Sequence, residues 1–173
     1  MSKLIVDFRH SNAAQKRDFL QQHADMKVVM DFSTLDPTAF YAEFPQLVGS
    51  FPGQFAVNGK CELHLCEEVA GADDALQAHG LTAVRTTIAG LGFTVPRTLA
   101  MIINEAYFAF EQEVATRADI DRAMRFGVNY PQGPFEWVQG RESLYIELLE
   151  NLQAATGDAR YSVSSSLAEG RLS

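Results

Sequence analysis

Two patterns of apolar residues meet near residue 90, and this change of pattern limits the fold more than any other feature. Before it, short apolar runs alternate with helix signals. Leu4-Ile5-Val6 lies in a strand predicted over residues 3–8, of the kind that a parallel sheet buries. Ser11-Asn12 offers capping groups to a helix over AAQKRDFLQQH. Further strands are expected at 26–30, 46–50, 61–66 and 81–88. Residues 33–37 form a turn, and Pro37 suits the first turn of a short helix. A loop rich in Gly and Pro covers 51–59, and a helix over 72–78 closes at Gly80. Strands alternating with helices through short links imply a mostly parallel α/β sheet.

After residue 90 the period becomes helical. Val95, Leu99, Ile102, Ala106 and Phe110 recur at helical spacing. Met101, Ile103, Tyr107 and Phe108 widen that stripe until little of a helix over 95–113 is polar. One face suffices for packing inside a monomer, and the other would be a large exposed apolar patch. A homodimer is therefore expected, with Met101, Ile103, Tyr107, Phe108 and Phe110 as interface candidates. Thr116 and Asp119 resemble a capping box, Gly127 stops that helix, and Gly133-Pro134 opens the next. A break near Gly140 precedes helices at 142–155 and 164–169. The fold class is α/β followed by all-α, with domains at 1–89 and 90–173.

Charge narrows the partners. Fourteen Lys and Arg against 22 Asp and Glu leave a net charge of −8. No basic cluster offsets it, which disfavours nucleic acid and anionic membrane surfaces. No apolar run approaches the ~18 residues of a membrane span, and the opening MSKLIVDFRH does not read as a signal peptide. Two cysteines, Cys61 and Cys66, suit a reducing, cytoplasmic setting. His10, His23, His64 and His79 lack metal-ligand spacing, so no metal is expected.

Chemistry-bearing residues are sparse. On a strand over 61–66, Glu62, His64 and Cys66 share one face and could supply orienter, base and nucleophile. The plainer reading is a polar sheet face. Asn104-Glu105 interrupts an apolar helix and reads as an interhelical hydrogen bond. There is no G-x-G-x-x-G, since Val95 follows Gly90 and Gly92 at the third glycine position, and no phosphate-binding G-x-x-x-x-G-K-[ST].

Residues 90 to 139 carry four motifs in order. These are Gly92-Phe93 with Arg97, Asn104-Glu105-Ala106, Ile120-Asp121 with Ala123-Met124, and Gly133-Pro134-Phe135-Glu136. Together they resemble the C-terminal domain of the 3-hydroxyacyl-CoA dehydrogenases, with its G-F-x-x-N-R, N-E-A, I-D-x-A-M and G-P-F-E. The stretch from Arg160-Tyr161 to Gly170-Arg171-Leu172 is similar to the family's closing segment, cut short. Leu4-Ile5-Val6-Asp7 with Lys16 resembles the second half of the family's Rossmann domain. Asp31-Phe32-Ser33-Thr34-Leu35 resembles its N-T-S-S-L turn, and Leu47 to Phe51 the strand leading to G-x-H-F-F-N-P.

The resemblance implies a truncated Rossmann-like sheet and a helical domain that pairs with a second copy. It implies NAD as the family cofactor, and the departures remove its seat here: the glycine fingerprint and ribose carboxylate are missing. The family's His takes the hydroxyl proton as hydride leaves to NAD. It should fall near Ser50-Phe51, where no His stands. Its orienting Glu should fall within 62–67, and the Asn of G-F-x-x-N-R is Pro96. Only Ser33 or Thr34 can stand for the substrate-contacting Ser. The expectation is no catalytic residue, no bound cofactor, and a groove near Ser33, Thr34, Ser50, Phe51 and Arg97 for an acyl-CoA-like group, unless Phe51 and Phe55 fill it. Two functions follow: a dimeric binding or accessory protein, or a dehydrogenase completed by a partner that supplies the nucleotide-binding half.

Overall fold

A computed structural model describes residues 3–170. Arg171 and Leu172, the end of the expected closing segment, lie outside the described residues. The chain forms two compact units, Met1–Pro96 and Arg97–Ser173.

The first unit holds β1 (Leu4–Asp7), α1 (Ala13–Gln22), β2 (Lys27–Asp31), α2 (Thr38–Glu43), β3 (Leu47–Phe51), β4 (Lys60–Leu65), α3 (Ala72–Ala78) and β5 (Thr82–Arg85). The strands lie in chain order, β1-β2-β3-β4-β5. β1, β2 and β3 pair in parallel, as do β4 and β5, but β3 pairs with β4 antiparallel. Link length explains the reversal: a parallel crossover takes about a dozen residues or more, and only 52–59 separate β3 from β4. Gly49 lies opposite Leu65 in that pair. A Cβ on Gly49 would meet the His64 carbonyl oxygen at 2.8 Å, so glycine allows the two backbones to close up.

Alternation along the strands sends side chains into two cores. Val28 and Met30 join Leu20, Phe32, Phe40, Phe44 and Leu47 on one side. Val29, Val48 and Phe51 join Cys61, Leu63, Ala72 and Leu76 on the other. Phe93 packs into the first core, which ties the segment after β5 to this unit. The apolar run over 81–88 yields a strand of only four residues, with Val84 and Ile88 exposed. Thr86 closes it by accepting the Ile88 N–H in a turn. Asn12 caps α1 by accepting from Gln15, whose side chain returns the bond to the Asn12 N–H.

The second unit holds the rest of α4 (Val95–Glu111), then α5 (Arg117–Gly127), α6 (Pro134–Val138), α7 (Glu142–Thr156) and α8 (Ser165–Glu169). Ile103, Tyr107, Tyr145, Ile146, Leu148, Leu149, Leu152 and Leu167 are buried. Asn104, fully buried, donates to the Ser162 carbonyl at 2.8 Å and accepts the Ser164 N–H at 3.0 Å. Among the described residues no helix is long and apolar enough to cross a membrane.

Candidate functional site

Two of the positions singled out by the family resemblance, Glu62 and Pro96, converge within the first unit. Pro52, next to Phe51 at the end of β3, lines a cavity of about 320 Å³ together with Glu62 on β4 and Pro96 at the start of α4. Phe55, Val57, Cys61, Val84 and Val95 supply its apolar walls, and Asn58 and Lys60 also line it. Glu62 is the cavity's carboxylate, and its oxygens accept the Thr94 N–H at 3.1 Å and the Val95 N–H at 2.9 Å. It thus satisfies backbone donors at the start of α4 that have no intrahelical acceptor. The Cys61 thiol is buried, and desolvation, helped by Asp31 and Glu62, pushes its pKa up to about 12. Near neutral pH it is neither nucleophile nor base.

The other expected groove residues are committed to the interior. Ser33 donates its hydroxyl to Asp31 Oδ2 at 2.8 Å and accepts the Gln54 N–H at 3.0 Å. Thr34 is buried beside it. Ser50 is fully buried and accepts from the Tyr41 hydroxyl at 2.6 Å. Phe51 is fully buried, edge-on to Phe8 at 5.0 Å. Arg97 belongs to the second unit and donates to the Tyr161 hydroxyl at 2.8 Å. Of the interface candidates, Ile103 and Tyr107 are buried, while Met101, Phe108 and Phe110 stay partly exposed.

Burial also tunes Asp31. Desolvation holds its carboxyl above the usual range, against Ser33, Lys16 and the Gly53 N–H, which pull it down. The buried Lys16 ammonium donates to the Asp31 carbonyl at 2.5 Å. The expected Glu62–His64–Cys66 face is divided. Glu62 is spent at α4, whereas Cys66 Sγ lies 3.9 Å from His64 Nε2. Among the described residues no three His, Cys, Asp or Glu side chains could hold a metal ion. The β1–α1 link, Phe8-Arg9-His10-Ser11-Asn12, contains no glycine, and Arg9 is ion-paired with Asp7.

The remaining motif residues of the second unit brace backbone. Asp121 accepts the Phe135 N–H and Glu136 accepts the Gly133 N–H, both at 2.9 Å, so the two motifs hold each other at the start of α6. Arg125 pairs with Glu136 at 3.1 Å.

The profile of the 3-hydroxyacyl-CoA dehydrogenase C-terminal domain matches residues 92–170. Residues 92–170 therefore carry the C-terminal domain of the 3-hydroxyacyl-CoA dehydrogenases. It is 52% identical over 71 residues to 3-hydroxyadipyl-CoA dehydrogenase of Escherichia coli (strain K12), covering 40% of this chain and 15% of that protein. It is 34% identical over 80 residues to 3-hydroxybutyryl-CoA dehydrogenase of Clostridioides difficile, covering 45% of this chain and 28% of that protein. The chain thus matches under a third of the length of either curated relative. A solved 3-hydroxybutyryl-CoA dehydrogenase from Escherichia coli K12 aligns with 83% of this chain and 31% of its own, at 31% identity and TM-score 0.68. FadB2 of M. tuberculosis aligns with 98% of this chain and 65% of its own, at TM-score 0.78 and 19% identity, a likeness of fold. The family architecture is α/β followed by all-α, as the sequence patterning implies.

The sequence reasoning left out Phe55, Val57 and Val84 as cavity walls. Val57 and Val84 carry no motif, and an apolar residue on a loop or short strand gives no sign of which space it faces.

Proposed function

We propose that this chain is a 3-hydroxyacyl-CoA dehydrogenase-like protein without NAD-dependent dehydrogenase activity by itself, acting as a dimeric binding or accessory protein. One observation carries this reading. The cavity that gathers Pro52, Glu62 and Pro96 has apolar walls, and its carboxylate is occupied by two backbone N–H groups. A base must reach the proton it abstracts, and the Glu62 carboxylate is engaged by the Thr94 and Val95 N–H groups. An apolar space of this size accommodates part of an acyl chain, so a CoA thioester or acyl group is the proposed ligand class.

Calorimetry with NADH and thermal shift with 3-hydroxyacyl-CoA test the two halves of the proposal. No NADH binding at micromolar concentration, with a raised melting temperature in acyl-CoA, is the expected result. Ligand at ~100-fold its dissociation constant adds roughly 2.7 kcal/mol of stability. NADH binding, or NAD reduction by the pure chain, would overturn it.

The partner is proposed to be a second copy. Within the second unit, Met101, Ile102, Ala106, Ala109, Ile120, Met124 and Pro134, with Thr98 and Glu105, line a mostly apolar groove of about 540 Å³. No residue of α5 is buried, which leaves Ile120 and Met124 available to a neighbour. Free Cys61 and Cys66 suit a reducing, cytoplasmic location.

A second reading is favoured by the 52% identity with a short part of the Escherichia coli 3-hydroxyadipyl-CoA dehydrogenase. In it, the chain works in 3-hydroxyacyl-CoA oxidation together with a partner that supplies the nucleotide-binding half. Co-expression with such a half, followed by an assay of NAD reduction, separates the readings. Activity that needs both chains supports the second, and none in either arrangement supports the first.

A further inference from the structure

Cys66 follows the last residue of β4 and is exposed, unlike the buried Cys61. His64, two residues earlier, faces the same way. Its Nδ1 lies 3.2 Å from the Thr86 carbonyl oxygen. A carbonyl only accepts, so Nδ1 carries the proton and the Nε2 lone pair is left for the thiol 3.9 Å away. The order nucleophile, base, orienter is thus Cys66, His64, Thr86 carbonyl, a spacing that free enzymes often show looser than in reaction. The pair rests on a fixed floor. Ser50 lies directly opposite His64 in the β3–β4 register and is buried. Tyr41 donates to Ser50, contacts the His64 ring at 5.8 Å and interacts with Cys66.

We propose that Cys66 and His64 form a thiol–base pair that undergoes exchange with small-molecule disulfides, making Cys66 a site of reversible S-thiolation. In the step, the Sγ proton passes to His64 Nε2 and Sγ attacks one sulfur of the disulfide. The Cys66 S–S bond forms and the original S–S bond breaks. The departing thiolate takes the proton from His64 Nε2, and the reducing equivalents of the Cys66 thiol leave as the free small thiol.

The surroundings make the base necessary. Burial, with Glu67, holds the Cys66 thiol above its ordinary pKa, while Tyr41 pulls it down. Glu67 is ion-paired with Lys27 at 2.6 Å, and Glu68 lies 4.0 Å from Arg85. No cation is shown at the sulfur among the described residues. Thiolate is therefore scarce at neutral pH unless His64 accepts the proton.

The whole chain, incubated with oxidised glutathione and followed by intact mass and peptide mapping, tests the pair. One adduct on Cys66 and none on Cys61 is expected, and the reaction already runs at about pH 7, below the range in which a free thiol ionises. His64→Asn retains an amide N–H for the Thr86 carbonyl and deletes the base. It should slow the reaction about tenfold at neutral pH and leave it dependent on ionisation of the thiol alone. Cys66→Ser should abolish the adduct. A His64→Asn rate equal to wild type, or a wild-type profile that follows the thiol alone, would overturn the proposal. The wild-type profile decides the matter even if a variant fails to fold.

Discussion

Asp121 occupies the space in which a Cβ on Gly133 would lie. From there it accepts the N–H of Phe135 at 2.9 Å, so a motif on α5 and a motif opening α6 fit each other only because position 133 is glycine. The φ of Gly133 is −80°, so space and not backbone freedom demands the glycine.

Gly133→Ala should therefore destabilise the protein by about 1–3 kcal/mol, as overpacking of a buried site does. Asp121→Ala removes an acceptor at a helix start and should cost about 1 kcal/mol. Denaturant titration of both checks this. A Gly133→Ala midpoint equal to wild type would show that Asp121 moves aside freely.

Asn104 bridges α4 to the segment before α8 through the Ser162 carbonyl and the Ser164 N–H. Asn104→Ala leaves two backbone groups without a partner in the interior, at about 1–3 kcal/mol each. A combined loss of about 2–5 kcal/mol in equilibrium unfolding is expected. A loss below ~1 kcal/mol would mean that water replaces the amide.

Asp31 predicts a pH dependence. Its folded pKa is raised by burial, so the native state binds the proton more tightly than the unfolded chain. Between the unfolded value near ~3.9 and the higher folded value, the native state gains stability as pH falls. Above the folded value the carboxylate carries its full desolvation cost. Asp31→Asn, which keeps an oxygen acceptor for the Ser33 N–H, should therefore compare more favourably with wild type at about pH 7 than at about pH 4. Urea unfolding across that range measures it, and the opposite trend would refute the assignment of burial as the dominant effect.

Restoring single family residues should not restore activity. Phe51→His places an imidazole where the side chain is wholly enclosed, and Pro96→Asn restores one side-chain amide at the cavity wall. Neither supplies a dinucleotide seat. The double variant should show no NAD reduction with 3-hydroxyacyl-CoA, and Phe51→His should cost stability by desolvating a polar ring. Turnover by the folded double variant would overturn the proposed loss of function.

The apolar groove on α4 and α5 predicts assembly. Ile102→Glu or Met124→Glu should shift the protein to monomer or aggregate, because a charge in a buried apolar interface is costly. Light scattering decides it. A wild-type mass of about 19 kDa at micromolar concentration would exclude the dimer.

The pattern of apolar residues by itself determined the order of elements. The continuous apolar run in Lys27–Asp31 and the 3.6-residue period in Val95–Glu111 are local properties, read from the residues that carry them. Asn104 is the same kind of case, since an amide inside an apolar helix must find a partner. The reversal at β4 depends on link length and pairing together, and only the folded sheet decides it. The sites were less legible. Ser33, Ser50 and Phe51 look available in a turn and a strand end, yet each is enclosed, because the strands beside them fill both faces of the sheet. Glu62 and His64 alternate onto one face of β4, but what each meets is set by segments about twenty to thirty residues away, at Thr86 and Thr94-Val95. Spacing along a chain states which side chains share a face. Only tertiary structure decides which partner reaches that face first, because hydrogen bonds and burial are settled by distant segments.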